Sequence, residues 1–198
     1  MSRETGGSDG CVTVWLGLGS NLGNRVAALR TGVAALEAAG LEPEAFSDLY
    51  HSRPKYVTEQ PPFVNAVGRF RTRLDPDGVL AACQAAEAAA GRQPRERFGP
   101  RELDVDLLVY GDRVVVREGL QVPHPALAER LFVLVPLAEL DPDLEVPGLG
   151  RVDVLLQAAR AALPEIEQVT SLGRFVPGRG RSLGGPAPAG PASDGASA

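Results

Sequence analysis

Hydrophobic and polar positions alternate between two periods along this chain, and the changes of period mark its elements. Val12 to Gly19 is a short apolar run that predicts a first strand entering a buried sheet. Gly19-Ser20-Asn21-Leu22-Gly23-Asn24 is turn-like. Asn24 then stands as an N-cap before Val26, Leu29, Val33 and Leu36, which share one helical stripe that Gly40 ends. Ala45 to Ser52 predicts a second strand. The prolines of the stretch 53–62 (RPKYVTEQPP) exclude a regular element there. Phe63 to Arg73 predicts a third strand. Asp75-Pro76 opens a second helix, with Val79, Leu80 and Cys83 as its apolar stripe and Gly91 as its stop. Glu102 to Tyr110 predicts a fourth strand, and the Gly111-Asp112 turn leads to Val114-Val115-Val116 as a short hairpin partner. Helical patterns follow around 126–138, after Pro123-His124-Pro125, and over 151–161. The order is β-α-β repeated. It predicts the α+β class: a ferredoxin-like sandwich with a βαββαβ core, its helices on one side of an antiparallel sheet, and a C-terminal hairpin and helices appended.

Composition divides the chain into three zones. Residues 1–10 are polar and predict a flexible leader without the apolar region of a secretory signal. Residues 11–175 form the expected domain. Residues 176–198, rich in Gly, Pro and Ala, lack the apolar side chains that offset ordering entropy and are expected to be disordered. What remains outside the domain leaves no room for a second catalytic unit, so a fused multifunctional form is not expected. No apolar run is long enough to span a membrane. The net charge of −5 disfavours a general nucleic-acid-binding role. Cys11 and Cys83 form no CxxC pair and no cluster with histidine, which argues against zinc and disulfide frameworks and for a reducing, cytoplasmic setting.

Against this acidic background one segment is locally basic: Arg92, Arg95, Arg97 and Arg101 fall within ten residues. Immediately after them come Asp104 and Asp106. Two residues apart on a strand, both carboxylates project from one face, while Leu103, Val105 and Leu107 point into the helices. Two like charges on one face are costly together unless a cation lies between them, and Mg²⁺ typically takes one or two carboxylates plus substrate phosphates. An Asp-x-Asp pair is also common as a solvated strand face, and an arginine cluster as a solvated loop. Their conjunction around the rigid Gly99-Pro100 turn points to a divalent-metal phosphate site.

The run RFGPRELDVDLL (97–108) is similar to the signature of the 6-hydroxymethyl-7,8-dihydropterin pyrophosphokinase family of folate biosynthesis. Three further stretches resemble that family in the same order: GLGSNLGNR (17–25), the span from Ser52 to Asn65, and QVPHPALAERLFVLVPLAEL (121–140). The resemblance implies transfer of the β,γ-diphosphate of ATP to the hydroxymethyl group of the dihydropterin, with release of AMP. It implies two Mg²⁺ ions on Asp104 and Asp106, and phosphate contacts from Arg97 and Arg101, which with the two aspartates make the catalytic set. Gln84, His124 and Arg130 join Arg97 and Arg101 as ATP-binding residues. Phe98 and Phe132 match the aromatic residues that sandwich the pterin, Asn65 matches the asparagine at its edge, and Ser52 and Phe63 stand where Thr and Tyr are common. Phe98 replaces the commoner Trp, Lys55 stands where an apolar residue lies in some members, and a shorter loop leaves Arg92 and Arg95 open as the mobile phosphate contact. Gly119 and Gln121 also fall where other members have contacting side chains. The loops 52–62 and 91–98 are expected to close over substrates. ATP and the dihydropterin are the expected partners, with no nucleic acid and no membrane, for a monomer. Two other readings remain at this level: a glycosyltransferase Asp-x-Asp site, and a non-enzymatic ferredoxin-like module that senses nucleotides or binds RNA.

Overall fold

The computed structural model describes residues 10–54, 59–93, 99–162 and 169–178. The first strand, β1 (Val12–Ser20), alternates as expected, with Val14, Leu16 and Leu18 buried on one face and Trp15 on the other. Helix α1 (Arg25–Ala38) is capped by Asn24, whose side chain accepts from the Ala27 N–H at 3.1 Å. Helix α2 (Pro76–Ala89) begins the same way, the Asp75 carboxylate accepting from the Gly78 N–H at 2.8 Å ahead of Pro76.

The predicted second strand is two: β2 (Glu42–Phe46) and β3 (Asp48–Ser52), both paired with β4 (Phe63–Thr72). Buried Ser47 makes the break. Its N–H donates to the Val67 carbonyl and its hydroxyl accepts from the Val67 N–H, both at 2.9 Å, so the side chain stands in for a ladder bond. Strand β5 (Asp104–Tyr110) starts two residues later than predicted. A short ribbon of β8 (Glu145–Val146) and β9 (Gly150–Arg151) stands apart from the main sheet, whose order, with β10 at Thr170–Arg174, is β10-β3-β4-β1-β5, with β2 also on β4 and every pairing antiparallel. Strand β10 (Thr170–Arg174), which pairs with β3, was not anticipated. Its residues TSLGR are exposed throughout and carry no alternating pattern. Directly after it Phe175 is buried edge-on against Phe46, with ring centroids 5.5 Å apart.

Helices cover both faces of the sheet, not one. Helices α1 and α2 pack on the face that presents Val14, Leu16, Leu18, Val64, Phe70, Val105 and Leu107. Trp15, Val67, Leu108 and Val109 on the other face pack against α3 (Leu131–Leu140) and α4 (Val152–Ala162). The central strands are apolar on both faces, and such a surface has to be covered twice. A bulge in β5, where Leu16 faces Leu107 but Trp15 faces Val109, turns both Leu108 and Val109 to the second layer.

Two further differences bear on the site. The expected β5 hairpin does not form: β6 (Val115–Arg117) pairs with β7 (Leu120–Val122), and β7 runs on to His124, whose N–H donates to the Leu108 carbonyl at 2.9 Å. The helix predicted over 126–138 is interrupted. A 3-10 turn at Leu127–Glu129 is followed by extended Arg130 (φ −124°, ψ 102°) and only then by α3. On the other face α1 approaches β5 closely at Gly32, where a Cβ would lie 2.5 Å from Leu103 Cδ2. Fully buried Leu103 thereby anchors the start of the strand that carries the two aspartates. Among the described residues no helix is long and apolar enough to cross a membrane.

Candidate active site

One row of residues crosses three strands. Gly19 of β1 faces Asn65 of β4 on one side and Asp104 of β5 on the other, and Gly17 faces Asp106. The two glycines keep this stretch of sheet free of side chains. A Cβ on Gly19 would lie 3.1 Å from Asn65 Oδ1. Above the bare strip lies a cavity of about 190 Å³, closed on its far side by the N-terminal end of α3. Asp104, Asp106, Arg101, His124 and Arg130 line one part of it, and Ser52, Phe63, Asn65 and Phe132 line another.

The charged part is a web of ion pairs. Asp104 accepts from Arg101 Nη1 at 2.5 Å and pairs with Arg92 Nη1 at 3.1 Å. Arg92 also pairs with Glu87, whose Oε1 accepts from the Val105 N–H at 3.0 Å, the amide between the two aspartates. Asp106 Oδ2 lies 3.5 Å from Arg130 Nη1 and 3.9 Å from His124 Nε2. Burial, and then the negative charge of Asp104, push the Asp106 carboxyl up to about 6 against the pull of Arg130 and Arg101. That repulsion, on two carboxylates sharing one strand face, is what a bound divalent cation relieves. Asp104 and Asp106 therefore fit Mg²⁺, which completes its shell with water and substrate oxygens. Among the described residues no group of three or more His, Cys, Asp or Glu converges as a metal cage.

His124 is held at both ends. Its Nδ1 accepts from the Ala126 N–H at 3.2 Å, which leaves the proton of the neutral ring on Nε2, facing Asp106. Burial, then the nearby Arg130 charge, lower its pKa to about 4. The neutral ring thus favours the fold fully above about 6.5, and this contribution is lost as pH falls through about 4. Across a pH 5 to 8 titration the ¹⁵N shifts of His124 are expected to remain those of a neutral ring protonated on Nε2, with only small changes as the neighbouring Asp106 ionises. Conversion of both ring nitrogens to imidazolium shifts by pH 5 would contradict this account.

The other part of the cavity joins the rings of Phe63 and Phe132 with the amides of Asn65 and Gln60. Buried Asn65 donates from Nδ2 to Ser52 Oγ at 2.9 Å. Phe63 opens β4, and Phe132 sits in the first turn of α3 with the Arg130 guanidinium 5.7 Å from its ring centroid. The structure thus brings together Ser52, Phe63, Asn65, Arg101, Asp104, Asp106, His124, Arg130 and Phe132. Gln84 is exposed on α2 and does not line the cavity, whereas Glu87, three residues later on the same helix, turns toward β5. Arg97 and Phe98, with Lys55 and Arg95, lie outside the described residues, as do parts of the two loops expected to close. Arg92 is placed at Asp104. Gly119 and Gln121 lie on the β6–β7 hairpin, away from the cavity lining. Sequence reading missed Asn21, which is buried beside Arg101. Its one signal was a turn motif that needs a polar residue at its centre.

A family model described as 7,8-dihydro-6-hydroxymethylpterin-pyrophosphokinase matches residues 15–142. The chain is 44% identical over 154 residues to a protein of Methylorubrum extorquens named 2-amino-4-hydroxy-6-hydroxymethyldihydropteridine pyrophosphokinase, covering 77% of this chain and 98% of that one. A protein of the same name from Pseudomonas aeruginosa is 42% identical over 149 residues, 73% of this chain and 90% of that one. The crystal structure of wild-type Plasmodium falciparum HPPK-DHPS with pteroate superposes with a TM-score of 0.61 at 15% identity over 80% of this chain. That likeness is one of fold, and this chain spans 43% of the Plasmodium chain. By the family match and by identity over nearly the full length of such relatives, the chain belongs to the 7,8-dihydro-6-hydroxymethylpterin-pyrophosphokinase family.

Proposed function

We propose that this pyrophosphokinase of folate biosynthesis takes the diphosphate that it transfers to 6-hydroxymethyl-7,8-dihydropterin from ATP, in a Mg²⁺-dependent reaction in the cavity above Gly17 and Gly19. The observation that carries the reading is the division of that cavity. One part presents Asp104 and Asp106 among arginines, and the other presents Asn65, Ser52, Phe63 and Phe132. A triphosphate needs positive charge and a metal; a flat heterocycle with a polar edge needs aromatic walls and an amide. The two therefore meet at the row through Gly19. Two Mg²⁺ ions held by Asp104 and Asp106 would neutralise charge on the triphosphate and orient it.

The chain's own residues do the rest. Arg101 and Arg130, with Arg97 from the signature, bind the phosphate oxygens through charge-assisted bonds. Neutral His124 donates from Nε2 to a phosphate oxygen without adding a positive charge beside Arg130. Asn65, braced by Ser52, holds the pterin edge, so that the hydroxymethyl oxygen points at the β-phosphorus. A new oxygen–phosphorus bond forms there, the bond from the β-phosphorus to the bridging oxygen breaks, AMP leaves with that oxygen and its electron pair, and the hydroxyl proton passes to solvent water. Positioning of this kind accounts for much of the acceleration in phosphoryl transfer. The reduced thiols of Cys11 and Cys83 suit a reducing compartment, and the enzyme works in the cytoplasm as a monomer. Family membership removes the ground for the glycosyltransferase and RNA-module readings.

Incubation with ATP, Mg²⁺ and 6-hydroxymethyl-7,8-dihydropterin is expected to release AMP only when the pterin is present. Chelation of the metal is expected to stop release, and added Mg²⁺ to restore it. Folded protein that forms no pterin-dependent AMP would overturn the proposal.

A further inference from the structure

Asn21 follows β1 directly and is 1% exposed. Its Oδ1 accepts from the Arg101 N–H at 2.7 Å, and its own N–H donates to the Arg101 carbonyl at 3.1 Å. Its Nδ2 donates to Gln60 Oε1 at 3.1 Å and to the Pro61 carbonyl at 3.0 Å. The side-chain amide is thus committed on both sides: its acceptor to the Arg101 turn, its donors to the 60–61 segment. Neither segment belongs to a strand or helix, so no ladder fixes either one.

The two segments end in different parts of the cavity. Arg101 reaches Asp104 with its side chain, and its backbone position sets that reach. Gln60 lines the cavity, and the next residues lead through Pro62, whose carbonyl accepts from Arg25 Nη1 at 2.8 Å, into Phe63. Asn21 itself does not line the cavity. We propose that Asn21 is a positioning residue that sets the phosphate-binding turn at Arg101 and the pterin-side segment 60–63 in fixed relation through one buried amide. This rests on the reading of the cavity under Proposed function.

The two halves of the amide can be separated. Asn21→Asp keeps an acceptor for the Arg101 N–H and removes both donors to Gln60 and Pro61. Asn21→Ala removes both halves. Asn21→Asp is expected to raise the KM for the pterin about tenfold while the KM for ATP stays within about twofold. Asn21→Ala is expected to raise both and to lower kcat as well. Hydrogen exchange without substrates should show the Arg101 amide protected in Asn21→Asp but not in Asn21→Ala, and segment 59–63 loosened in both. A pterin KM for Asn21→Asp within twofold of the parent would overturn the proposal. So would loss of thermal stability alone with unchanged kinetics, the mark of a merely structural asparagine. If Asn21→Ala does not fold, Asn21→Asp decides. If the parent forms no pterin-dependent AMP, the activity reading fails while the exchange experiment still tests the clamp.

Discussion

Replacing Asp104 or Asp106 by alanine is expected to lower kcat by about 10³-fold or more, since loss of a metal site forfeits several kcal/mol of transition-state stabilisation. The fold should survive, because both side chains face the cavity and not a core. A second effect runs the other way. In metal-free protein Asp106 is raised to about 6 by burial and by Asp104. A carboxyl raised above its unfolded value of 3.8 favours the fold fully below about 3.8, and that contribution is lost as pH rises through about 6. At pH 7.5 the charged Asp106 thus opposes folding. With a third of its side chain open to the cavity, solvent screening limits the effect to roughly 1 kcal/mol. Asp106→Asn in chelator should therefore melt higher than the parent at pH 7.5, with the gap closing toward pH 4. Near-normal turnover in any of these variants would remove the metal assignment, and equal melting at pH 7.5 would remove the electrostatic one.

The same aspartates show what a sequence makes legible. A strand period of two places Asp104 and Asp106 on one face and Leu103, Val105 and Leu107 on the other, because the pleat depends only on local backbone geometry. Capping by Asn24 and Asp75 is equally local, and both caps form. What local pattern could not carry depends on distant partners. Trp15 and Val67 lie among residues of the opposite facing, and only the presence of α3 and α4 makes that second face a core. Ser47 breaks a strand because Val67, twenty residues later, accepts from it and donates to it. Strand β10 has no apolar alternation, since it is an exposed edge joined to β3 through backbone bonds. Around the cavity, the nearness of Arg101, Asp104 and Asp106 was legible because they cluster in sequence. Asn21 and Glu87 bond to segments 40 and 18 residues away, at Pro61 and Val105, and a polar side chain in a turn or on a helix does not announce such a partner.

Replacing Asn65 by alanine is expected to weaken pterin use selectively. Asn65 is 5% exposed, so its amide meets little bulk water, and a polar ligand edge bound there has few other partners. Removing it leaves the ligand's own donors and acceptors unpaired in a desolvated place, at about 1–3 kcal/mol each. Two such bonds predict a fall in kcat/KM for the pterin of roughly 30- to 10⁴-fold. Ser52 loses the Nδ2 donor at 2.9 Å, so a smaller loss of thermal stability should accompany the kinetic one. Asp104, at the proposed ATP side, stands across Gly19 on β5, outside the reach of this change, and the KM for ATP should stay within about twofold. Gly19→Ala offers the converse test, because it keeps the amide but sets a Cβ 3.1 Å from Asn65 Oδ1. A shift of a few tenths of an ångström in a positioned hydrogen-bonding group is enough to lengthen the bond it makes. Gly19→Ala should therefore reproduce part of the pterin defect while Asn65 is intact. Equal losses for ATP and pterin in Asn65→Ala would show that the amide supports the whole cavity and not the pterin edge.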